Sequence, residues 1–410
     1  KTITKFSVRP IQPNDMLPAL ANSILHALGG TPGPVHLALP FDVLSATDSL
    51  DPLPTLAIKD TIGLSKKQKN KISTALDAAQ RALVITGPQC NRSRQPDAYA
   101  ALSNKLKMPL ICLESPRGLD DTYYGNFSEI LSSSDLIILM GKRGDYATGL
   151  LTPSRIPKDT SIIAVLTDDQ PTPTHDTQTI EVLRVGSIAS AMKDLAAIAT
   201  AVDENWSTKI ANMISSRKPW TAITNARHPA EVATSLQTAI NSTKKPILIV
   251  DGGEFCQWIQ AGCSSKIRIL NGPSGAIGGG ICYAIGASIA RPEATIFLTM
   301  GDGTAGFYLA EFNTAVRIGC SIIALIGNDY RWNAEVQIQI ESFGEERVYG
   351  CDLDATANYA DATAGLGVHA ITIGPADDID LALTKAIKHN GPSCLNILIE
   401  SHAAPKFNPL

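Results

Sequence analysis

Two acidic turns in the sequence combine residue types that can bind a divalent cation. Gly301-Asp302-Gly303 follows an apolar run at residues 295–300, and Asn328-Asp329 follows a second run at residues 321–326. Apolar residues recur at helical spacing between the two turns, which predicts a strand-helix-strand unit. Because a right-handed crossover makes such strands parallel, we expect Asp302 and Asp329 at one edge of a sheet, where α/β proteins bind ligands.

Carboxylate oxygens on glycine-flanked loops suit Mg²⁺, which prefers octahedral oxygen ligation and is often bound together with phosphate groups. An acidic residue directly after a strand can instead cap the following helix. Two such turns in one strand-helix-strand unit favour the metal site over the helix cap.

This stretch resembles the cofactor motif of thiamine-diphosphate (ThDP) enzymes of the acetolactate synthase and pyruvate decarboxylase type, in which a Gly-Asp-Gly turn precedes an Asn-Asn pair. Here Asp329 stands where the second Asn is usual, and it keeps an oxygen ligand. The resemblance implies that Asp302, Asp329 and the backbone carbonyl of Arg331 bind Mg²⁺ together with diphosphate oxygens and water. It also implies that Gly303 and Thr304 donate hydrogen bonds to the diphosphate at a helix N-terminus.

Two further stretches are similar to the same family. An apolar run at residues 246–250 ends at Asp251-Gly252-Gly253-Glu254-Phe255, where the family places diphosphate-binding groups, so Gly253, Glu254 and Phe255 are expected there. The Glu254 side chain would repel phosphate unless it turns away or bonds another group. The loop Gly275-Ala276-Ile277-Gly278 resembles the one that binds the aminopyrimidine. By that match Gly275 offers its carbonyl to the 4′-amino group, Ile277 holds the cofactor bent, and Ala276 lies between them.

Alternating strand and helix signals predict an α/β fold with doubly wound parallel sheets, and the resemblance implies the ThDP-binding fold. Residues 1–50 resemble the carboxyl-terminal part of a pyrimidine-binding (PYR) domain, residues 51–204 a central Rossmann-like domain, and residues 205–410 a diphosphate-binding (PP) domain. Residues 202–229, with Trp206 and Trp220, are expected to form a polar connection. Further strands are predicted at residues 4–8, 34–39, 82–86, 110–113, 136–140, 162–166 and 395–400, and further helices at residues 14–28, 98–107, 230–240, 280–290, 359–364 and 379–388.

In the central domain, residues 114–119 and Gly141-Lys142 resemble the family segment that holds FAD in acetolactate synthases and ADP in oxalyl-CoA decarboxylases. A nucleotide site is therefore considered, although no Gly-x-Gly-x-x-Gly fingerprint occurs. Arg117, between Pro116 and Gly118, is either a turn residue or a group that meets a substrate or a phosphate.

The composition excludes several classes of protein. The 410 residues carry a net charge of −4 without a long basic run, which argues against nucleic acid and anionic membranes as partners. No apolar segment is long enough to span a bilayer. The eight cysteines form no C-x-x-C pair and the seven histidines no metal spacing, so both read as structural residues of a cytoplasmic protein.

The resemblance implies ThDP-dependent cleavage or formation of a carbon–carbon bond in a 2-oxo acid, as in acetolactate synthases. A 2-hydroxyacyl-CoA or oxalyl-CoA type lyase and a non-catalytic ThDP- or nucleotide-binding subunit are alternatives. The family glutamate that contacts the pyrimidine ring belongs to the earlier part of the PYR domain and cannot be assigned to a residue of this sequence. We therefore expect the chain to act with an amino-terminal PYR segment or chain, in a homo-oligomer of such assemblies.

Overall fold

The computed structural model describes residues 3–46, 52, 56, 62–173, 180–216, 218, 226–272 and 274–407. Trp220 of the predicted polar connection lies outside the described residues. Within the described chain the strands form three separate parallel sheets, one in each of the three predicted regions.

The amino-terminal piece contains two short parallel strands and two helices. They are β1 (Phe6–Val8), α1 (Met16–Leu28), β2 (Val35–Leu37) and α2 (Phe41–Leu44). Asp15 precedes α1 without capping it through its side chain, because its carboxylate accepts the backbone N–H of Gln12 at 3.2 Å. Ile3 and Phe41 of this piece are more than four-fifths exposed.

The central domain is a five-stranded parallel sheet in the order β4-β3-β5-β6-β7, with helices around it. Its elements are α3 (Lys66–Ala78), β3 (Ala82–Thr86), α4 (Pro96–Leu106), β4 (Ile111–Cys112), α5 (Phe127–Ser133), β5 (Leu136–Met140), β6 (Ser161–Thr167), β7 (Ile180–Val185), α6 (Ile188–Ile198) and α7 (Glu204–Ser215). The inner strands β3 and β5 are buried along their whole length. Strands covered on both faces read as continuous apolar runs, which is why the sequence located them well.

Helix α7 corrects the predicted polar connection. Trp206, Ile210 and Met213 lie on one face of α7 and are buried in the central core, and the indole N–H of Trp206 donates to the Ala82 carbonyl at 2.9 Å. The predicted boundary between residues 204 and 205 therefore falls inside a helix whose packing assigns it to the central domain.

The third domain is a six-stranded parallel sheet in the order β12-β13-β11-β10-β8-β9. Its elements are α8 (Pro229–Ser242), β8 (Pro246–Val250), α9 (Glu254–Gly262), β9 (Ile267–Leu270), α10 (Gly280–Ala290), β10 (Thr295–Gly301), α11 (Asp302–Ala305), α12 (Glu311–Arg317), β11 (Ile322–Asn328), α13 (Asn333–Phe343), α14 (Tyr359–Gly365), β12 (His369–Ile373), α15 (Ile379–Lys388) and β13 (Ser393–Leu398). The helix predicted between the two acidic turns is divided into α11 and α12.

Alternate side chains of these strands serve two core layers, since successive residues of a strand point to opposite faces. In β8, Leu248 and Val250 pack on the face covered by α8, α9 and α15, while Ile247 and Ile249 pack on the opposite face with α10 and α12. This double-sided packing confirms the predicted doubly wound α/β architecture.

The chain order reverses between β8 and β10, which are adjacent in the sheet although β9 lies on the other side of β8. Such a switch point opens a crevice at the carboxyl ends of the strands. The central domain closes over this region. A buried ion pair between Arg268 of β9 and Asp121 of the central domain, at 3.7 Å, lies at the contact between the domains. No helix among the described residues combines the length and apolar character needed to cross a bilayer.

Candidate active site

A cavity of about 340 Å³ lies at this switch point, between the third domain and the central domain. Of the predicted site residues it is lined by Gly253, Glu254, Phe255, Gly275, Ile277, Asp302, Gly303, Thr304, Asp329 and Arg331. Ala276, which was also predicted, is exposed and is not part of this lining. The structure thus gathers residues that are far apart in the sequence around one space.

Asp302 and Asp329 follow two adjacent strands, since Gly301 of β10 pairs with Gly327 of β11. Asp302 is buried, and its Oδ1 accepts the N–H of Gly303 at 2.8 Å, while its Oδ2 has no hydrogen-bond partner within the described chain. Burial raises the pKa of Asp302 to about 6. Burial and the neighbouring charge of Asp302 raise the pKa of Asp329 to about 7. Asp302 is buried and Asp329 half-buried, and because the charge of Asp302 destabilises the charged form of Asp329, the pair is suited to a shared cation.

The donor set is incomplete on its own. In the described part of the chain no group of three or more His, Cys, Asp or Glu side chains is placed to hold a metal ion. A cation held by two carboxylates and backbone oxygens therefore needs further ligands. Proteins commonly bind Mg²⁺ in this way, through a few protein groups together with phosphate oxygens. Arg331 is exposed, its side chain pairs with Asp352 at 2.9 Å, and a bridge to the Asp352 backbone fixes its main chain. The residues present fit a divalent cation.

Gly253, Gly303 and Thr304 line the part of the cavity where the diphosphate-binding groups are predicted. A Cβ added to Gly303 would lie 2.7 Å from the Trp332 ring, so only glycine fits there. Gly253 has φ of +94°, a conformation that favours glycine, and its neighbourhood is open. The Thr304 hydroxyl donates to the Gly252 carbonyl oxygen at 3.5 Å. Gly303 and Thr304 are buried and Gly253 is half-buried, and all three line the cavity.

Asp251 is a site residue whose role the sequence analysis missed. Its buried carboxylate accepts three backbone N–H groups, from Gly252 at 2.8 Å, Gly278 at 3.0 Å and Gly280 at 2.7 Å. These bonds tie the glycine-rich loop to the end of β8. Burial raises the pKa of Asp251, and the three hydrogen bonds oppose that rise. The signal was available, because Asp251 follows an apolar run as Asp302 does.

The Glu254 side chain bonds other groups. Its Oε2 is 3.4 Å from Nη2 of Arg117, and its Oε1 accepts the N–H of Ala404. Burial raises the pKa of Glu254, and the Arg117 charge opposes that rise. Arg117 is thus a cavity residue of the central domain, and the pairing shows how an acidic residue is accommodated at this strand end.

The loop that was predicted to hold the aminopyrimidine lies against both domains. Ile277 is half-buried, and its side chain covers Gly252, where an added Cβ would lie 2.3 Å from Ile277. A Cβ at Gly275 would be 3.4 Å from Pro116 of the central domain. Ile277 therefore faces the cavity from one side, while the loop 115–117 faces it from the other.

The segment after β13 bonds residues of the site, and these contacts were not predicted. Ser401 hydrogen-bonds the Asp329 carboxylate, and the carbonyl of His402 accepts from the Asn333 side chain at 3.0 Å. Ala404 donates to Glu254. Irregular segments carry little sequence signal for tertiary contacts, which is why these contacts could not be anticipated.

Comparisons with known proteins show similarity to ThDP-dependent enzymes. Residues 251–397 match the model described as thiamine pyrophosphate enzyme, C-terminal TPP binding domain, and this span contains the predicted cofactor residues. The chain is 24% identical to human 2-hydroxyacyl-CoA lyase 2 over 97% of its own length and 71% of that protein. It is 25% identical to Escherichia coli oxalyl-CoA decarboxylase over all of its length and 76% of that enzyme. The chain is therefore similar to ThDP-dependent enzymes, and residues 251–397 match their C-terminal TPP-binding domain.

Two more enzymes are similar to the chain as well. A probable acetolactate synthase of Mycobacterium bovis is 22% identical over 80% of this chain and 61% of that protein. A crystal structure of benzoylformate decarboxylase from Polynucleobacter necessarius shares the fold, with a TM-score of 0.75 at 18% identity over 99% of this chain and 77% of that one. The resemblance read from the motifs is confirmed, and so is the ThDP-binding fold. The relatives are longer than this chain, which spans between 61% and 76% of the three curated relatives named here.

Proposed function

We propose that the chain binds ThDP with Mg²⁺ and serves the cleavage or formation of a carbon–carbon bond in a 2-oxo acid, as acetolactate synthases do. The observation that carries the proposal is the pair Asp302 and Asp329 at adjacent strand ends, with an unpartnered buried oxygen beside a glycine-lined cavity. A cation bound by both carboxylates would relieve their mutual repulsion and would at the same time attract a diphosphate.

The residues have distinct roles in this proposal. Asp302, Asp329 and the Arg331 carbonyl hold the cation. Gly303 and Thr304 donate hydrogen bonds to the diphosphate. The residues that follow β8, Gly253, Glu254 and Phe255, also contact the diphosphate. The N–H of Ala404 holds the Glu254 carboxylate and keeps it from the diphosphate, while Arg117 lies 3.4 Å from its other oxygen.

At the other end of the cavity, Gly275 accepts from the 4′-amino group and Ile277 keeps the cofactor bent, while Asp251 fixes the loop that carries them. When bound, ThDP supplies a carbanion-stabilising group for the substrate carbonyl. The protein contributes position and a cavity shielded by two domains. The comparisons give no support for FAD or ADP, and neither belongs to the proposal.

Exposed apolar side chains motivate a partner for the amino-terminal piece. Ile3, Ile11 and Phe41 are each more than four-fifths exposed around a sheet of two strands, and large exposed apolar groups mark contact surfaces. We propose that an amino-terminal PYR segment or chain covers this surface and provides the pyrimidine-contacting glutamate, within a homo-oligomer in a cytoplasmic setting.

A lyase acting on a 2-hydroxyacyl-CoA or on oxalyl-CoA is the second candidate. It is favoured by the two relatives with those names, which align with nearly the whole chain. Mass-spectrometric product detection after incubation with 2-oxo acids, aldehydes and acyl-CoA esters would separate the two candidates. A protein that binds ThDP but converts none of them would instead support the non-catalytic subunit.

The cofactor assignment is tested by calorimetry with ThDP in the presence of Mg²⁺. We expect Asp302→Ala to lower ThDP affinity strongly, because the diphosphate charge is then poorly neutralised. Asp354→Ala, on an exposed turn of the same domain, is the matched control and should bind ThDP normally. Equal ThDP affinity of wild type and Asp302→Ala would contradict the assignment.

A further inference from the structure

Arg117 is the cation that the cofactor proposal leaves without a ligand. The cavity lining carries five carboxylates, Asp251, Glu254, Asp302, Asp329 and Glu335. Within the described chain that lining has two cationic side chains, Arg117 and Arg331. Arg331 is exposed and makes a 2.9 Å contact with Asp352, which engages it outside the cavity. Arg117 is therefore the cationic group available to a molecule inside.

The position of Arg117 is defined by its loop. Residues 115–117 follow β4 and reach the cavity from the central domain, with Pro116 beside Gly275 and Arg117 beside Glu254. The loop thus lies across the space between the pyrimidine end and the diphosphate end of the proposed cofactor. A substrate that enters from the central-domain side passes this loop.

The pairing of Arg117 is loose. Its Nη2 is 3.4 Å from Glu254 Oε2, its side chain is 38% exposed, and among the described residues Glu254 is the one carboxylate within ion-pair distance. A guanidinium has five N–H donors in a planar fork that matches a carboxylate in two parallel hydrogen bonds. A single contact at 3.4 Å leaves most of this capacity unused. Glu254 is meanwhile anchored by Ala404 and can keep its place when Arg117 turns.

We propose that Arg117 is the specificity-determining residue that binds the carboxylate of the substrate, leaving Glu254 to do so. This inference rests on the proposed function and narrows it, because it selects substrates that carry a carboxylate next to the reacting carbonyl, such as 2-oxo acids. A 2-hydroxyacyl-CoA ester has no such carboxylate and would gain nothing from Arg117. Fork-like recognition also distinguishes arginine from lysine at this position.

The test uses two pyruvate analogues of similar shape, the anionic methyl acetylphosphonate and the neutral dimethyl acetylphosphonate. Their binding to protein loaded with ThDP and Mg²⁺ is measured by calorimetry for wild type, Arg117→Gln and Arg117→Lys. We expect Arg117→Gln to weaken binding of the anionic analogue by about tenfold to a hundredfold, as is usual for loss of a charge-assisted hydrogen bond, with no change for the neutral one. Arg117→Lys should recover part of the preference.

Two further variants make the result specific. Arg155→Gln is the matched control, since Arg155 of the same domain contacts Ser128 at 2.8 Å and does not line the cavity. It should keep the preference for the anion. Glu254→Gln keeps an acceptor for Ala404 and removes the competing charge, so it should bind the anionic analogue more tightly than wild type.

The outcomes separate the two proposals. If wild type converts 2-oxo acids and Arg117→Gln keeps the full preference for the anionic analogue, the role of Arg117 is refuted and the proposed function stands. If Glu254→Gln binds the anionic analogue no more tightly than wild type does, Arg117 does not leave Glu254 in order to bind the substrate carboxylate, and the proposal is likewise refuted. If wild type binds ThDP but neither analogue, the 2-oxo acid function fails and the role of Arg117 fails with it.

Discussion

Neutralising Asp302 should make the metal-free protein more stable while it removes the stabilisation by Mg²⁺ and ThDP. The substitution Asp302→Asn keeps the acceptor that bonds the Gly303 N–H and removes the charge of a carboxylate whose other oxygen is unpartnered. In the metal-free protein that charge is a cost to the folded state, since burial raises the pKa of Asp302 from 3.8 to about 6.

The size of the effect follows from the pKa values. At about 1.4 kcal/mol per pKa unit, the difference between 3.8 and about 6 corresponds to about 3 kcal/mol. The folded state binds the proton more tightly than the unfolded state, so stability falls as pH rises from the unfolded pKa through the folded pKa. Asp302→Asn should therefore be more stable than wild type by about 3 kcal/mol near pH 8, and by less than about 1 kcal/mol near pH 4. The raised pKa of Asp329 should fall in the same variant, because the charge of Asp302 contributes to it.

The assay is urea unfolding of the metal-free protein, followed by tryptophan fluorescence, because Trp258 and Trp332 lie in the third domain. The unfolding is then repeated with Mg²⁺ and ThDP. These should raise the free energy of unfolding of wild type and leave that of Asp302→Asn unchanged. Asp354→Asn is the control, since hydrogen bonds lower the pKa of that exposed carboxyl and its removal should not stabilise. An Asp302→Asn protein that is no more stable than wild type near pH 8, or that still gains stability from the cofactor, would refute the reasoning.

Three other substitutions test separate parts of the structure. Ile277→Ala should lower turnover more than ThDP affinity, because the side chain acts on the shape of the cofactor. Calorimetry and steady-state rates measure the two effects. Lost ThDP binding with normal turnover at saturating ThDP would show that Ile277 only binds the cofactor. Gly303→Ala should lower ThDP affinity and thermal stability together, since its Cβ would lie 2.7 Å from the Trp332 ring, and unchanged values in both would show that the ring yields. Trp206→Phe should cost about 1 kcal/mol in urea unfolding through the lost bond to the Ala82 carbonyl, without affecting ThDP affinity; a large affinity loss would show that α7 supports the site.

The sequence located the buried strands better than the edge strands. The runs at 82–86, 136–140 and 246–250 coincide with β3, β5 and β8, because strands covered on both faces must be apolar throughout. The missed strands β7, β9 and β12 occupy sheet edges and carry polar residues such as Glu181, Arg268 and His369, which interrupt the apolar pattern.

The metal pair could be predicted because it depends on local turns and on one crossover. The contacts of Glu254 with Arg117 and Ala404 could not, because they join three parts of the chain that no local pattern connects. Helix α7 is an intermediate case. Its apolar residues Trp206, Ile210 and Met213 have helical spacing, but the polar residues between them concealed it.

Three aspartates at the ends of neighbouring strands show how the environment divides one residue type into two roles. Asp251 follows β8, and its two oxygens accept three backbone N–H groups that oppose the rise in pKa caused by burial. Asp302 and Asp329 follow β10 and β11, and Asp302 keeps Oδ2 without a hydrogen-bond partner in the described chain. A buried carboxylate with unused acceptor capacity is unstable alone and therefore suited to a cation. Both oxygens of Asp251 are already engaged by backbone N–H groups, which is why Asp251, although it lines the cavity, holds the loop of Gly275 and Ile277 rather than a metal.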